Sequence, residues 1–486
     1  MQPASEWVRD RGLDQKAWLI LGKGPTFGKF KPEFADRYEI LALNHVVRHV
    51  RCTASLMMDM DAYEMCADAV ASNAQFLLMP WHPHVNFRPS KKTLADFVAE
   101  EPRLKALHQE GRLIAFNAQT GHMFDPLDGE PVTPIKFFSA EAALNVLADN
   151  GVKNIRTLGV DGGSTYASKF YDLRDVTLLA NGRKNFDKQM LKFNETLRRH
   201  PDLLFGPLNV QTPVRIFIGS DETQLLGARV FEFSVLRHAS LSVRFEVIDN
   251  EGLPVPRDEL KRARTGFSFC RFKIPELCDH RGRAIYVDAD MQVFTDIKDL
   301  WTRDFNGSWM LYSELTGSEG RAPQYSVMLM DCANLDWDAR QLITDLDHDI
   351  FDYKALMADF AMMPPAKKQP DLEFEWNSLE HYEHQRTKLI HYTDMPTQPW
   401  VSNTNKNGEV WYQELRDALK AGYVSREEID EAIKLGHVSP LLPQWARLTP
   451  YPDAEKLAKN WQPPFRRFAR QVAAGQKAAS KKKASA

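Results

Sequence analysis

Arg283-Ala284-Ile285-Tyr286-Val287-Asp288-Ala289-Asp290-Met291 is the stretch on which the reading of this chain turns. An apolar run rich in β-branched and aromatic residues stops at two carboxylates one residue apart. That is the pattern of a buried strand with a polar C-terminal end. Side chains two apart on an extended segment share a face, so Asp288 and Asp290 can point at one ion or one phosphate. Ligands of open α/β sheets gather at that end of the strands. Asp after a strand is also ordinary turn chemistry, so the pair gains meaning only from its surroundings.

Upstream, Val214-Arg215-Ile216-Phe217-Ile218 predicts another buried strand, ending at Gly219-Ser220-Asp221. A helix follows, with Leu226, Val230, Phe233 and Leu236 on its inner face. Leu241 to Val247 alternates, placing Val243, Phe245 and Val247 on one face of a half-buried strand. Thr265 to Phe272 reads as a helix with Leu277 near its end, leading to the carboxylate pair. About a hundred residues downstream, Lys388-Leu389-Ile390 is a short apolar run that sets His391 at a strand end. Pro207 and Pro213 bracket the expected domain boundary. The expected division is therefore 12–206, 212–450 and a tail at 451–486.

The first part alternates strands and helices. Ala17 to Leu21 predicts a buried strand followed by Gly22-Lys23-Gly24-Pro25-Thr26, a glycine-rich turn that lets backbone N–H groups approach a phosphate. Further apolar runs end at Asn44-His45, at Asp59 and Asp61, and at Pro80-Trp81-His82. Ser139 is the expected N-cap of a helix with Glu141 in its first turn and Gly151 at its close. Ile155 to Val160 ends at Asp161-Gly162-Gly163. Strands that each end in polar or glycine residues argue for a doubly wound parallel sheet. A ligand of nucleotide type is expected near Gly22, Gly24, Asn44 and Asp161, although Gly-Pro turns and polar strand ends are what any α/β fold supplies. His82, in Trp81-His82-Pro83-His84, is a candidate general base, set against the plainer reading of a rigid loop.

Length and composition set the outer bounds. The 486 residues suffice for two or three domains, and 43% hydrophobic with 26% charged residues is ordinary for a globular protein. A formal net charge of -3 gives no bulk electrostatic case for nucleic acid. Cys52, Cys66, Cys270, Cys278 and Cys332 form no C-x-x-C pair, which argues against a structural zinc site and a disulfide framework and fits a reducing compartment. Met1 to Lys16 has no apolar centre, so no signal peptide is read there, and a cytoplasmic location is expected. After Pro463-Pro464 the tail carries Arg466, Arg467, Arg470, Lys477 and Lys481 to Lys483. Disorder is expected there, with peripheral membrane contact through Phe465, Phe468 and Val472 as the rival reading.

The order of parts from 214 to 402 resembles the retaining glycosyltransferases of family 8, of the glycogenin and lipopolysaccharide-galactosyltransferase type. The residues that carry the likeness are Gly219-Ser220-Asp221, Phe267-Ser268-Phe269 with Arg271 and Phe272, Asp288 and Asp290, His391-Tyr392-Thr393, and Pro399-Trp400. The resemblance implies an α/β fold of the GT-A type, a nucleotide-sugar donor, usually uridine diphosphate-linked, and manganese or magnesium as cofactor. Asp288 and Asp290 match the family's D-x-D and His391 its third metal ligand. Arg271, Gly219, Ser220, Asp221, Ser326 and Asn377 match positions around the donor. Gln398 stands where the family has a lysine on the donor phosphate, a charge that Lys388, Arg321 or Lys406 would have to supply. Asp394 replaces a glycine, and Asp352-Tyr353-Lys354 occupies the region of the family's D-Q-D-x-x-N segment.

By the same resemblance the acceptor is a hydroxyl of a glycan or lipid-linked glycan in cell-surface synthesis, transfer is retaining, and no strong general base is called for. The first part resembles the Rossmann-like domains of bacterial sialyltransferases and of the hydroxymethylpterin pyrophosphokinase-related family. The residues behind that likeness are Leu21 to Thr26, Asn44, and Ser139 to Gly163. Two further expectations stay open: a bifunctional chain with a second transferase site in the first part, and a non-catalytic nucleotide-sugar-binding or scaffold subunit.

Overall fold

A computed structural model describes residues 1–136, 138–173, 188–262, 265–313 and 325–465. The chain divides into two compact units, the first comprising Met1–Pro213 with Ala239–Ser242, the second Val214–His238 and Val243 onward.

The first unit is built on a wholly parallel nine-stranded sheet. Its main path runs Gln2–Pro3, Leu113–Ala118, Ala74–Pro80, Cys52–Leu56, Glu39–Leu43, Ala17–Leu21, Asn154–Leu158 and Leu204–Pro207. Successive residues of each strand serve opposite faces. Trp18, Ile20 and Leu41 join the helix Ser139–Asp149 in one core, while Leu19, Leu21, Ile40 and Ala42 join Val46, Tyr63 and Val70 in another. Both faces are thus covered, which explains why the strands read as unbroken apolar runs. Each fully buried side chain such as Trp18 contributes roughly 1.5–3 kcal/mol or more.

From Ala17–Leu21 the chain adds strands on one side out to Leu113–Ala118, then crosses to the other side with Asn154–Leu158. The strand order reverses between these two neighbours. A Cβ on Gly22 would collide with the Gly159 carbonyl, and one on Gly159, at φ +71°, with that of Gly22. The loops after the two strands can meet only because both positions are glycine.

The expected cap of the helix Ser139–Asp149 shifts by one residue. Ser139 is the first helical residue, and its hydroxyl accepts from Asn44 Nδ2 at 3.1 Å. Glu141 caps instead, accepting the backbone N–H groups of Lys136 and Phe138 at 3.0 and 3.3 Å. Leu113–Ala118, buried along its whole length, was not marked as a strand from sequence, because six consecutive buried residues show no period. His82 is buried and its ring nitrogens face two backbone carbonyls, Ser90 O at 3.1 Å and Asp125 O at 2.9 Å. It clamps two loops and is not poised as a base.

The second unit carries a mixed six-stranded sheet in the order Val243–Ile248, Val214–Gly219, Arg283–Asp288, Val327–Asp331, Met310–Tyr312, Lys368–Gln369. The first three strands are parallel, and Val327–Asp331 runs antiparallel to its neighbours. A second sheet of three short strands, Met291–Val293, Leu389–His391 and Ser378–Leu379, starts where the D-x-D strand ends. The helix Leu225–Leu236 is buried on more sides than a single stripe would give, including Ala228, Phe231 and Val235. Thr265 to Phe272 is not a continuous helix: it forms turns and then the 3-10 helix Cys270–Lys273, which leads into Ile274–Leu277.

Beyond residue 450, Ala454–Asn460 is helical, and Trp461 donates its indole N–H to Gly436 O at 3.1 Å. The basic residues from Arg466 onward lie outside the described residues. Among the described residues no helix is long and apolar enough to cross a membrane.

Candidate metal centre

Strand register brings the three expected ligands together. Arg283–Asp288 is central in its sheet, with Gly219 opposite Asp288 in the parallel neighbour. The chain then turns at Ala289, whose N–H donates to Gly219 O at 3.0 Å, and enters the small sheet. There Met291 pairs with His391, and Tyr392 N–H donates to Asp290 O at 2.8 Å. Asp290 and His391 are therefore placed by backbone pairing, one residue before and directly across the first rung.

Asp288, Asp290 and His391 each offer a ligand atom, all within 4.8 Å of one another. His391 Nε2 lies 3.0 Å from Asp290 Oδ1 and 3.9 Å from Asp288 Oδ2. An octahedral ion with bonds of about 2.1 Å spaces its ligands by about 3 Å for neighbours and about 4 Å for opposites. Asp290 Oδ1 is buried and, among the described residues, has no hydrogen-bond partner of good geometry despite its closeness to the imidazole. These spacings are those of ligands to one ion, and two carboxylates with one imidazole suit a hard or borderline divalent cation. The residues fit a metal.

Each ligand is held from behind. Asp288 Oδ1 accepts from the Tyr286 hydroxyl at 2.6 Å, and Arg271 approaches the same oxygen at 3.6 Å. Arg271 also donates to Tyr325 O at 2.8 Å and stacks 4.6 Å from the Tyr286 ring. Gln398 Nε2 donates to Asp290 Oδ2 at 2.9 Å and to Tyr392 O at 3.1 Å. His391 Nδ1 faces Asn377 Oδ1 at 3.2 Å, which leaves Nε2 for an ion if Nδ1 carries the proton. Behind Tyr392, its hydroxyl donates to Gln292 Oε1 at 3.0 Å, and Gln292 donates to Glu414 Oε2 at 3.1 Å, which also takes Arg237 at 3.0 Å.

Electrostatics follow from this enclosure. Burial pushes the Asp288 carboxyl up, against the pull of Arg271 and His391. Burial opposes a charge on His391, but Asp290 and then Asp288 outweigh it and hold the imidazole above its ordinary range. Burial drives the Tyr286 phenol well up, so it serves as a donor to Asp288. Asp288 and His391 thus hold their protons more tightly than usual, and a divalent cation would displace them.

The other expected residues fall at different distances from this cluster. Gly219 has no room for a side chain, since a Cβ would strike the Tyr286 hydroxyl. Asp221 Oδ1 accepts from Thr223 N–H at 3.0 Å and Thr223 Oγ1 at 2.6 Å, which ties it into the turn. Ser220 and Ser326 are buried, Ser326 beside the Tyr325 carbonyl that holds Arg271. Gln398 braces Asp290, whereas Lys388 pairs with Glu373 at 3.6 Å and Lys406 is exposed. Arg321 lies outside the described residues. Asp352 caps the helix Tyr353–Met357, accepting from Ala355 N–H at 2.6 Å. Sequence reasoning missed Tyr286, although its position two before Asp288 puts it on the same face.

Residues 257–347 match the family model described as glycosyl transferase family 8. The second unit resembles that family. The chain is also 35% identical over 92 residues to Protein CDI of Arabidopsis thaliana, covering 18% of this chain and 36% of that protein. It thus spans about a third of the length of that curated relative. Among solved structures, the glycosyltransferase GlyE of Streptococcus pneumoniae TIGR4 is similar at 14% identity and a TM-score of 0.33, over 44% of this chain and 64% of that one, just under two thirds of it. The galactosyltransferase LgtC, in complex with donor and acceptor sugar analogs, is similar at 16% identity and a TM-score of 0.31, over 44% and 98%. The family-model match covers no part of the first unit, whose likeness to sialyltransferase and pyrophosphokinase-like domains stands as an expectation only.

Proposed function

We propose that the second unit transfers a sugar from a nucleotide diphosphate sugar, of uridine type, to a hydroxyl of a glycan or lipid-linked acceptor, with a divalent cation, manganese or magnesium, as cofactor. The observation that carries this reading is the Asp288–Asp290–His391 cluster, braced on every member, with Asp288 and Asp290 inside the segment 257–347 that matches a glycosyltransferase family model. Asp288, Asp290 and His391 would hold the cation, and when bound it would offset the charge of the departing diphosphate as a Lewis acid. Arg271 stays at Asp288 and fixes that carboxylate, while Tyr286 and Gln398 fix the remaining oxygens. Ser220, Asp221, Ser326 and Asn377 belong to the proposed donor surroundings, and retention of configuration belongs to the same proposal.

The test is release of nucleoside diphosphate from a panel of nucleotide-sugars with manganese, with and without acceptor sugars. Turnover by the wild type that Asp290→Ala removes is the expected result. Gln398 in place of a lysine favours a second reading, in which the unit binds a nucleotide-sugar without transferring it. Manganese-dependent binding with no turnover across the panel would establish that alternative and exclude the transferase.

A further inference from the structure

In the first unit, the reversal of strand order opens a cavity of about 540 Å³ at the carboxyl ends of the strands, where doubly wound sheets hold their ligands. Its volume lies in the range of small-molecule sites. Loops after four strands contribute Lys23, His45, Asp59 and Gly162, and Met58 and Ile135 give it apolar wall. The amino end of the helix Ser139–Asp149 also borders it, a position that favours an anion.

Charge in this cavity is unevenly settled. Asp161 is spent inside the wall: it accepts from the backbone N–H of Thr26 at 2.7 Å and from the Thr26 hydroxyl. Gly24 packs so close that a Cβ would lie 2.6 Å from Asp161 Oδ2. Asp59 lies 3.7 Å from His84, Asp61 accepts from Asn86 N–H at 3.2 Å, and Lys136 pairs with Glu195 at 3.1 Å. The Lys23 ammonium has neither hydrogen bond nor ion pair among the described residues, although the backbone carbonyl of that residue accepts from Ala167 N–H at 2.8 Å. Its ammonium sits 5.0 Å from the Tyr166 ring centroid, and burial lowers it to about 8.

His45 is 3% exposed, and among the described residues neither of its ring nitrogens has a hydrogen-bond partner. Burial, followed by the charges of Lys23 and Arg48, pushes it down to about 3, so the imidazole is neutral. Leaving a buried donor or acceptor unpaired costs about 1–3 kcal/mol, and native interiors seldom tolerate it. An unpaired imidazole beside an unpaired ammonium, both lining one cavity, marks a partner that comes from outside.

We infer that this cavity is a second ligand site, taking an organic phosphate of nucleotide size, its phosphate against Lys23 and His45 and its carbon skeleton against Met58 and Ile135. A phosphate oxygen neutralises Lys23 and accepts the imidazole N–H. Inorganic phosphate alone would leave most of the cavity and its apolar wall uncovered. The inference is independent of the metal centre in the second unit.

The full-length protein, in EDTA, is titrated by calorimetry with CMP, UMP, AMP, GMP and inorganic phosphate. At least one nucleotide is expected to bind, more tightly than inorganic phosphate, with Lys23→Met weakening it about tenfold or more and Asp290→Ala leaving it unchanged. In the wild type, acetylation of Lys23 by an N-hydroxysuccinimide ester at pH 8, mapped by mass spectrometry, is expected to slow severalfold when that nucleotide is present. This second measurement decides the matter if Lys23→Met does not fold. The inference is overturned if no nucleotide binds, if inorganic phosphate binds as tightly, if Lys23→Met binds undiminished, if Asp290→Ala abolishes binding, or if Lys23 is not protected.

Discussion

The candidate metal centre of the second unit and the cavity of the first both stand at the carboxyl ends of strands, yet their polar groups are completed in different ways. Around Asp288, Asp290 and His391 each ligand has a fixed neighbour, Tyr286 and Arg271, Gln398, and Asn377 respectively, and one buried oxygen, Asp290 Oδ1, is left over. In the cavity it is the acids that have partners, while the Lys23 ammonium and the His45 ring nitrogens have no hydrogen bond or ion pair among the described residues. A tight set of ligand atoms with one unspent oxygen suits a small cation. A roomy wall with an unspent ammonium and imidazole suits a large anion. The same end of an α/β sheet can thus be built for opposite charges, and the side chains left unpaired tell which.

The sharpest break in that contrast comes from Asp290→Ala. Removing the carboxylate that His391 faces is expected to lower manganese-dependent nucleotide-sugar turnover at least a hundredfold, about 3 kcal/mol or more, read by nucleoside diphosphate release. Gln398→Ala is the next step down. It frees Asp290 Oδ2 without removing a ligand, so manganese affinity is expected to fall about 10–100-fold while the fold persists. If Gln398→Ala matches wild type in a manganese titration, the bracing counts for little.

Gly219→Ala comes third. Its methyl would push the Tyr286 hydroxyl off Asp288, which is expected to cost about 1–3 kcal/mol in urea unfolding and to weaken manganese binding with it. Over the first pH unit below about 6.5, the smallest effect concerns acid. His45 in the first unit is pushed down to about 3, chiefly by burial, and His238 in the second to about 4 for the same main reason. Below about pH 6.5 the unfolded chain takes protons on both while the folded chain does not. Stability therefore falls as pH drops toward those values, by up to about 1.4 kcal/mol per pH unit for each histidine. His45→Gln is expected to flatten that slope, and an unchanged slope would mean the imidazole is not kept neutral.

Much of this was legible from residue pattern. The runs at 17–21, 40–43 and 214–218 are strands because two-sided burial leaves them apolar but for Arg215, and His391 does end a strand. The carboxylate pair with a distant histidine could be aligned, but their distances could not, since these depend on the register of Met291 with His391 across a sheet of short strands. Gln398 read as a missing charge, whereas its place in the fold makes it a brace for Asp290, a role that no local pattern encodes. Thr265 to Phe272 read as helical, and its turns and 3-10 geometry come with packing against Asn250 and Tyr353. In the first unit the turn glycines and Asn44 were visible as strand-end residues. The importance of Lys23 and His45 was not, because an unpaired state is a property of the surroundings and not of the residue.

The most direct test is electron paramagnetic resonance of manganese titrated into the full-length protein. One saturable site is predicted in the wild type, absent in Asp290→Ala and in His391→Ala, and retained in Lys23→Met. A wild type that leaves all manganese free, or an Asp290→Ala variant that binds it as the wild type does, would contradict the account.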